Sequence, residues 1–192
     1  MKQVLIAACM IMLQVESVNA ASIVDVTFGG TGCPADGAGI SARLNPKTGR
    51  MVVYTPDMKV DMDSARIVRK ACDIAVPVDV EPNERLVIGK TSVFGKEQLA
   101  LDHKLTTSAE AFVTGAIGPK AQVAIDGSAD KDLRDFYART NDTLTTACGQ
   151  DVILRARNTL LAIKPRISAA GESHALVKGL AFDIHVEQCE SN

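Results

Sequence analysis

A regular alternation of apolar and other side chains is the feature that most constrains how this chain can fold. In the segment 180–189, LAFDIHVEQC, every second residue from Leu180 to Val186 is a large apolar one. A period of two places alternate side chains on opposite faces of a β-strand, so this segment predicts a strand with one buried face and one wet face. The segment 153–163, ILRARNTLLAI, repeats the pattern, with Asn158 interrupting its apolar set.

A third alternating segment, 73–80 or DIAVPVDV, carries Pro77 among its outward residues. Proline cannot donate a hydrogen bond to a neighbouring strand, so Pro77 indicates an edge strand or a bulge. Shorter strands are predicted at 22–28, 39–44, 50–55, 85–94, 110–116 and 121–125. Clusters of glycine, proline, asparagine and aspartate separate these segments and predict tight turns between them.

About nine strands joined by short turns predict an all-β fold, an antiparallel two-sheet sandwich that resembles a jelly roll. The chain has no Trp and few other aromatic residues, so we expect a mainly aliphatic core. One segment departs from the alternation. Over 129–140 the spacing of Leu133, Phe136 and Tyr137 is helical, which predicts a short surface helix or a loop.

The first twenty residues have the composition of a secretory signal peptide. Lys2 precedes an apolar run over 4–13, and Ala20 ends a cleavage site of small residues. We therefore expect residues 1–20 to be removed, residues 21–192 to form a single β-sandwich domain, and the protein to be secreted and extracellular. No later apolar run is long enough to span a bilayer.

Four cysteines remain in the mature chain, namely Cys33, Cys72, Cys148 and Cys189. In a secreted protein four cysteines predict two disulfides, which can be paired in three ways. None of them are two to four residues apart, the usual spacing of structural zinc ligands. The stretch 28–37, FGGTGCPADG, fits neither the dinucleotide nor the P-loop pattern, so we interpret it as a turn pinned by a disulfide.

Motifs for catalysis or metal binding are weak. GESHA, residues 171–175, has the outline of a nucleophile elbow. Its Ser173 precedes a strand that also carries Asp183 and His185, so these three side chains are not expected to converge. The three histidines form no pair with metal-ligand spacing, and we expect them to be exposed or partly exposed.

Two loops are rich in carboxylates. Asp57, Asp61 and Asp63 lie in the first, and residues 126–135 contain the second group. Loop carboxylates can bind calcium, and a pair of them can hydrolyse a glycosidic bond. Neither loop matches an EF-hand, and solvated acidic side chains are the simpler interpretation.

Charge and one sequon bear on partners and modification. A net charge of −2 with no basic block argues against a nucleic-acid partner. Asn141-Asp142-Thr143 is an acceptor sequence for N-glycosylation, so Asn141 is a candidate glycan site. No residue pattern calls for a cofactor.

The contexts of the four cysteines resemble a family of small secreted proteins known as domain of unknown function 4360. Four parts match. The first is GTGCP at 30–34, and the second is a strand at 69–77 that contains a basic residue, a cysteine and Val-Pro. The third is Cys148-Gly149 followed by a long strand, and the fourth is an apolar strand that ends in Cys189. The resemblance covers nearly all of the mature chain. It implies a secreted, disulfide-linked, β-rich fold and no catalytic residue.

We favour the pairs Cys33–Cys72 and Cys148–Cys189, each of which closes a loop of about 40 residues. Cys189 falls on the wet face of its strand, so we expect the second disulfide at the rim of the sandwich. The expected function is that of a non-catalytic secreted module that binds a cell-wall or surface glycan or a protein. The alternative is a secreted glycosidase-like hydrolase that uses the loop carboxylates.

Overall fold

The computed structural model describes residues 26–34, 39–62, 65–130, 132–166 and 171–190. The expected signal peptide, 1–20, lies outside them. The twelve strands in the described residues are β1 Thr27–Gly29, β2 Ser41–Asn45, β3 Arg50–Tyr54, β4 Lys59–Asp61, β5 Ile67–Val78, β6 Glu84–Gln98, β7 Lys104–Val113, β8 Lys120–Asp126, β9 Arg134–Arg139, β10 Thr143–Thr145, β11 Val152–Ile163 and β12 His174–Gln188.

These strands form two antiparallel sheets, and no helix occurs in the described part of the chain. Sheet A has the order β1-β5-β11-β7-β8. Sheet B has the order β10-β6-β12-β3-β2, with β9 also paired to β6 and β4 also paired to β12. The predicted all-β, two-sheet architecture is therefore confirmed. Nor do the described residues include any helix long and apolar enough to cross a membrane.

The alternating segments place their apolar residues in the core between the sheets. Ile74 and Val76 of β5, Leu154 of β11, and Leu180 and Phe182 of β12 are at most 1% exposed. Burying each such side chain contributes about 1.5–3 kcal/mol to the free energy of unfolding. The core is mainly aliphatic, as the composition predicts, because methionines, leucines, valines and isoleucines fill most of it.

The prediction of a helix or loop at 129–140 was wrong, because residues 134–139 form β9 and pair with β6. Phe136 points into the core and is 8% exposed, whereas its neighbour Tyr137 points outward and is 58% exposed. Adjacent aromatic residues on opposite faces are what a strand produces. The helical spacing was therefore fortuitous, and long-range pairing determined the local structure.

Pro77 lies on the exposed face of β5, but β5 is not an edge strand, since it lies between β1 and β11. In the described residues β1 pairs with β5 only up to Ala75. Pro77 therefore lies past the last described pair with β1, and its partner on the other side is Ile153. A proline is tolerated at such a position because one side of the strand lacks a ladder there.

The two disulfides join Cys33 to Cys72 and Cys148 to Cys189, which are the pairs favoured from the sequence. Cys33 ends the glycine-rich turn, whose Gly30 has a φ of 118° and whose Gly32 donates its N–H to the carbonyl of Ala71 at 2.8 Å. At Gly30 a side chain would collide with the same carbonyl, so the turn requires glycine there. The interpretation as a disulfide-pinned turn is thus consistent with the geometry of residues 28–34, and residues 35–37 of the stretch lie outside the described ones.

We expect reductant to open Cys148–Cys189 before Cys33–Cys72. Cys148 is exposed at the rim, whereas Cys33 and Cys72 are 3% and 0% exposed, and thiol–disulfide exchange requires access to the sulfur. Brief treatment of the native protein with reductant, followed by alkylation and peptide mass spectrometry, gives the order. Equal labelling of all four cysteines at partial reduction would contradict this expectation.

Candidate ligand-binding face

The structure does not bring Ser173, Asp183 and His185 together. Ser173 is fully buried, whereas His185 is exposed and contacts Glu187 at 3.3 Å. Asp183 forms an ion pair with Arg50 instead. No serine-histidine-aspartate arrangement exists among these three residues.

Ser173 contacts a different histidine. Its Oγ lies 2.6 Å from Nδ1 of His103 and accepts the backbone N–H of Ala100 at 2.8 Å. The expectation that the histidines would be exposed was wrong for His103, which is 0% exposed. Because both side chains are buried, substrate has no access to the hydroxyl, and the pair instead fixes the β6–β7 turn to the start of β12.

Burial lowers the pKa of His103 below its ordinary value of 6.5, and the charge of Lys164 acts in the same direction while Asp102 opposes it. With Ala100 donating to it, the Ser173 hydroxyl can donate its own hydrogen to Nδ1 of a neutral His103. Burial and this hydrogen bond therefore both favour the neutral form of the ring.

The acidic loops do not form a joint site in the described residues. Asp61 contacts His174 at 3.8 Å, Asp126 contacts Lys104 at 3.3 Å, and Asp135 contacts Lys96 of β6 and Lys178 of β12. Asp63 lies outside the described residues. Across the described ranges, no three His, Cys, Asp or Glu side chains group as metal ligands would. Asn141 is exposed in the β9–β10 connection, and its glycosylation stays a prediction.

Sheet A carries an open groove of about 310 Å³ on its outer face. Arg157 pairs there with Asp73, and the hydrogen bond and charge of Asp73 raise the pKa of Arg157. Phe112 of β7 lies opposite Arg155 of β11, and Arg155 has no ion-pair partner among the described residues. Phe28 and Phe112 thus line the groove together with one cation, Arg155, that has no ion-pair partner in the described part of the chain.

Sheet B carries a more extensive feature, a row of aromatic side chains that crosses four strands. Tyr54 of β3 lies opposite Gly179 of β12, Gly179 lies opposite Phe94 of β6, and Phe94 lies opposite Tyr137 of β9. Residues directly opposite one another in antiparallel strands share a face, so all three rings point away from the core. We call Tyr54, Gly179, Phe94 and Tyr137 the aromatic row.

The rings of the aromatic row are at least partly exposed, and two of them contact each other. Tyr54 is 43% exposed and Tyr137 is 58% exposed, and Phe94 is half-buried between them. The ring centroids of Tyr54 and Phe94 are 6.1 Å apart with planes at 82°, an edge-to-face contact that fixes both orientations. Three inter-strand steps give the row a length of about 14–15 Å.

Gly179 makes this packing feasible. A Cβ at this position would lie 3.2 Å from the Phe94 ring and would collide with the backbone carbonyl of Val53. Between Val177 and Gly179 the register of β12 against β6 shifts by one residue, so Lys178 forms a bulge next to the row. Glycine and bulge together leave a flat floor on which the rings of Tyr54 and Phe94 meet.

Fixed polar groups border the aromatic row on the side of Ser92, two residues before Phe94. Arg50 donates from Nη1 to Asp183 Oδ1 at 2.9 Å and from Nη2 to Ser92 Oγ at 3.1 Å. Lys90 Nζ lies 3.5 Å from the other oxygen of Asp183. Two anchoring bonds hold the guanidinium plane in place and leave further N–H groups available for a ligand.

A second charged group borders the row on its other side. Asp135 Oδ1 lies 3.9 Å from Lys96 Nζ and 3.7 Å from Lys178 Nζ. Asp135 and Lys96 lie two residues from Tyr137 and Phe94 on β9 and β6, and Lys178 directly precedes Gly179 on β12. The arrangement as a whole is an apolar strip bordered by hydrogen-bonding groups. Sequence reasoning did not find it, because the three rings come from strands far apart in the chain.

We expect acidification to destabilise the protein through His103. In the unfolded chain this ring has its ordinary pKa of 6.5, whereas the pKa in the folded protein is lower. The contribution of the neutral ring to the free energy of unfolding is therefore fully present above pH 6.5. It is lost as the pH falls toward the folded pKa. Urea unfolding of the native protein and of His103→Gln between pH 8 and pH 5 measures this. The variant should be less stable at pH 8 but lose less stability on acidification. Parallel pH dependences of the two proteins would contradict the assignment.

Comparison with known proteins places the chain in one family. The model for the domain of unknown function DUF4360 matches residues 19–189. A search of curated proteins gave no match. A solved structure of TmCBM61 in complex with β-1,4-galactotriose is 11% identical, with a TM-score of 0.31, over 88% of this chain and 91% of that one.

A second similar structure is the enzymatically active domain of tailspike protein 4 of bacteriophage CBA120. It is 9% identical, with a TM-score of 0.24, over 91% of this chain, and this chain spans only 20% of that one. Both TM-scores are low, so neither likeness bears on the function of this chain. The family match covers most of the sequence, and the protein is a member of the DUF4360 family.

Proposed function

We propose that the protein is a secreted, non-catalytic module that binds a glycan on the outer face of sheet B. The aromatic row is the single observation that carries this proposal. Both tyrosines of the chain lie in it, although the whole sequence contains only two. A surface that exposes scarce aromatic residues side by side is typical of a binding site rather than of a solvated face.

The chemistry of the row suits a sugar chain. Pyranose rings present C–H groups on their faces and hydroxyls at their edges, so they pack on aromatic rings and form hydrogen bonds around the rim. Tyr54 and Tyr137 provide an apolar ring face and a polar hydroxyl in one side chain. At about 14–15 Å the row has the length of a short oligosaccharide.

The polar border supplies groups that could bind the hydroxyls at the sugar edges. Arg50 is held by Asp183 and Ser92, so little conformational entropy would be lost when it binds a ligand. Lys96, Lys178 and Asp135 could contribute on the other side of the row. Together these groups would orient a glycan that stacks on the rings.

A hydrolase is less well supported by the same face. Glycoside hydrolysis requires two carboxyl groups that flank the scissile bond, one of them protonated. Asp183 and Asp135 lie on opposite long sides of the aromatic row, and each forms ion pairs with two cations rather than facing the other carboxyl. Secretion is supported by the signal-like composition of residues 1–20 and by the two disulfides, which persist in oxidising compartments.

Affinity electrophoresis through gels that contain soluble polysaccharides tests the proposal. We expect at least one polysaccharide to retard the native protein, and Tyr54→Ala and Tyr137→Ala each to weaken binding about tenfold, or 1.4 kcal/mol. The rings are exposed, so both variants should keep the native unfolding midpoint. Phe112→Ala is the matched control, since Phe112 is a partly exposed aromatic residue on sheet A.

Two outcomes would contradict the proposed site. If both tyrosine variants migrate like the native protein, the aromatic row does not bind the polysaccharide. If Phe112→Ala alone loses retardation, the groove on sheet A binds it instead. Release of reducing sugar by the purified native protein would contradict the non-catalytic part of the proposal.

A further inference from the structure

We propose that the glycan bound by the aromatic row is anionic, a polysaccharide that carries carboxylate or sulfate groups. This inference rests on the proposed function and adds the chemical class of its ligand. Its basis is the charge of the surface around the row, which differs in sign from the net charge of the chain.

We count the charges on the outer face of sheet B in the two rows of outward-facing residues on either side of the aromatic row. This region is strongly cationic. Three aspartates lie there, Asp61, Asp135 and Asp183. Seven lysines and arginines lie there, Arg43, Arg50, Lys59, Lys90, Lys96, Arg139 and Lys178. The excess of four positive charges contrasts with a net charge of −2 for the whole chain.

The cations that lack a partner flank the row. Arg43 and Arg139 occupy the two ends of the residue row next to the aromatic row, on β2 and β9. Both are exposed, and neither has a hydrogen bond or ion pair with a carboxylate among the described residues. Cations held apart from carboxylates retain their full attraction for an external anion.

Shared carboxylates leave further positive charge beside the rings. Asp183 contacts both Arg50 and Lys90, and Asp135 contacts both Lys96 and Lys178. One carboxylate can neutralise only one of its two cations, so each cluster carries one net positive charge. Positive charge therefore lies on both long sides of the apolar strip, where the substituents of a stacked sugar chain would project.

A neutral glycan would not require this surplus. Hydroxyls form hydrogen bonds with carboxylates and amides as readily as with cations, so a site for neutral sugars has no use for four uncompensated charges. A polysaccharide that carries an acidic group on many of its residues would meet cations along the length of the row. Single-stranded nucleic acid also combines charge with stacking, but disulfides indicate an oxidising, extracytoplasmic compartment.

Two matched probes test the inference, polygalacturonate and its fully methyl-esterified form, which share a backbone but differ in charge. Binding of the native protein is measured at several concentrations of sodium chloride. We expect polygalacturonate to bind at least about tenfold more tightly at low salt. Its affinity should fall steeply with salt, whereas that of the ester should change little. Dextran and dextran sulfate, used in the same way, distinguish carboxylate from sulfate as the preferred anion.

Charge-removing variants locate the effect. Arg43→Gln and Arg139→Gln should each weaken polygalacturonate binding by about two- to fivefold and reduce its salt dependence, while binding of the ester is unchanged. Arg155→Gln is the control, because it removes an equally exposed and unpaired arginine from sheet A. It should leave both ligands unaffected.

The outcomes separate this inference from the proposed function. Equal affinity for the acidic and esterified forms, with both lost in Tyr54→Ala, would overturn the anionic ligand and leave glycan binding intact. Absence of binding to all four polysaccharides would overturn both. Tighter binding of single-stranded DNA than of polygalacturonate at equal salt would overturn the choice of a polysaccharide.

Discussion

The pairing of β6 with β12 supports the rest of sheet B. The remaining strands of this sheet extend outward from this pair. Strands β9 and β10 pair with β6, strands β3 and β4 pair with β12, and β2 pairs with β3. The partners lie far apart in the chain, at 84–98 and 174–188. Closing so long a loop costs conformational entropy, which the burial of Leu180, Phe182 and Ile184 against the core offsets.

The aromatic row follows from the register of this pairing. A shift of one residue in β6 or β12 would move Phe94 or Gly179 from the outer face to the core. The core residues on the neighbouring positions, Val93 and Leu180, are both fully buried and oppose such a shift. The same apolar packing that stabilises the sandwich therefore fixes which residues meet on its surface.

Much of the fold could be predicted from the sequence, since alternation alone identified the C-terminal halves of β5 and β12 and nearly all of β11. Strand β9 could not, because Phe136 and Tyr137 are adjacent and only pairing with β6 assigns one to the core and the other to the surface. The candidate site could not be predicted either. Tyr54, Phe94 and Tyr137 have no sequence spacing that marks them as neighbours, and their proximity is a property of strand order.

The buried pair of His103 and Ser173 shows a second limit of the sequence, since His103 was expected to be exposed or partly exposed and is fully buried. The GESHA motif drew attention to Ser173 as a nucleophile, yet its hydroxyl satisfies a backbone N–H and a buried ring. The Ser173 hydroxyl thus has two partners inside the core, whereas Nε2 of the buried His103 ring has none among the described residues. Burial separates such structural pairs from catalytic ones, and no sequence pattern reports burial of a single serine.

The composition of the aromatic row has a practical consequence for spectroscopy. The chain contains no Trp, and its two tyrosines, Tyr54 and Tyr137, both lie in the row. Its tyrosine emission therefore arises entirely from the surface proposed to contact ligand. Quenching or enhancement of that emission would follow occupancy of the face directly, without a label and without background from the core.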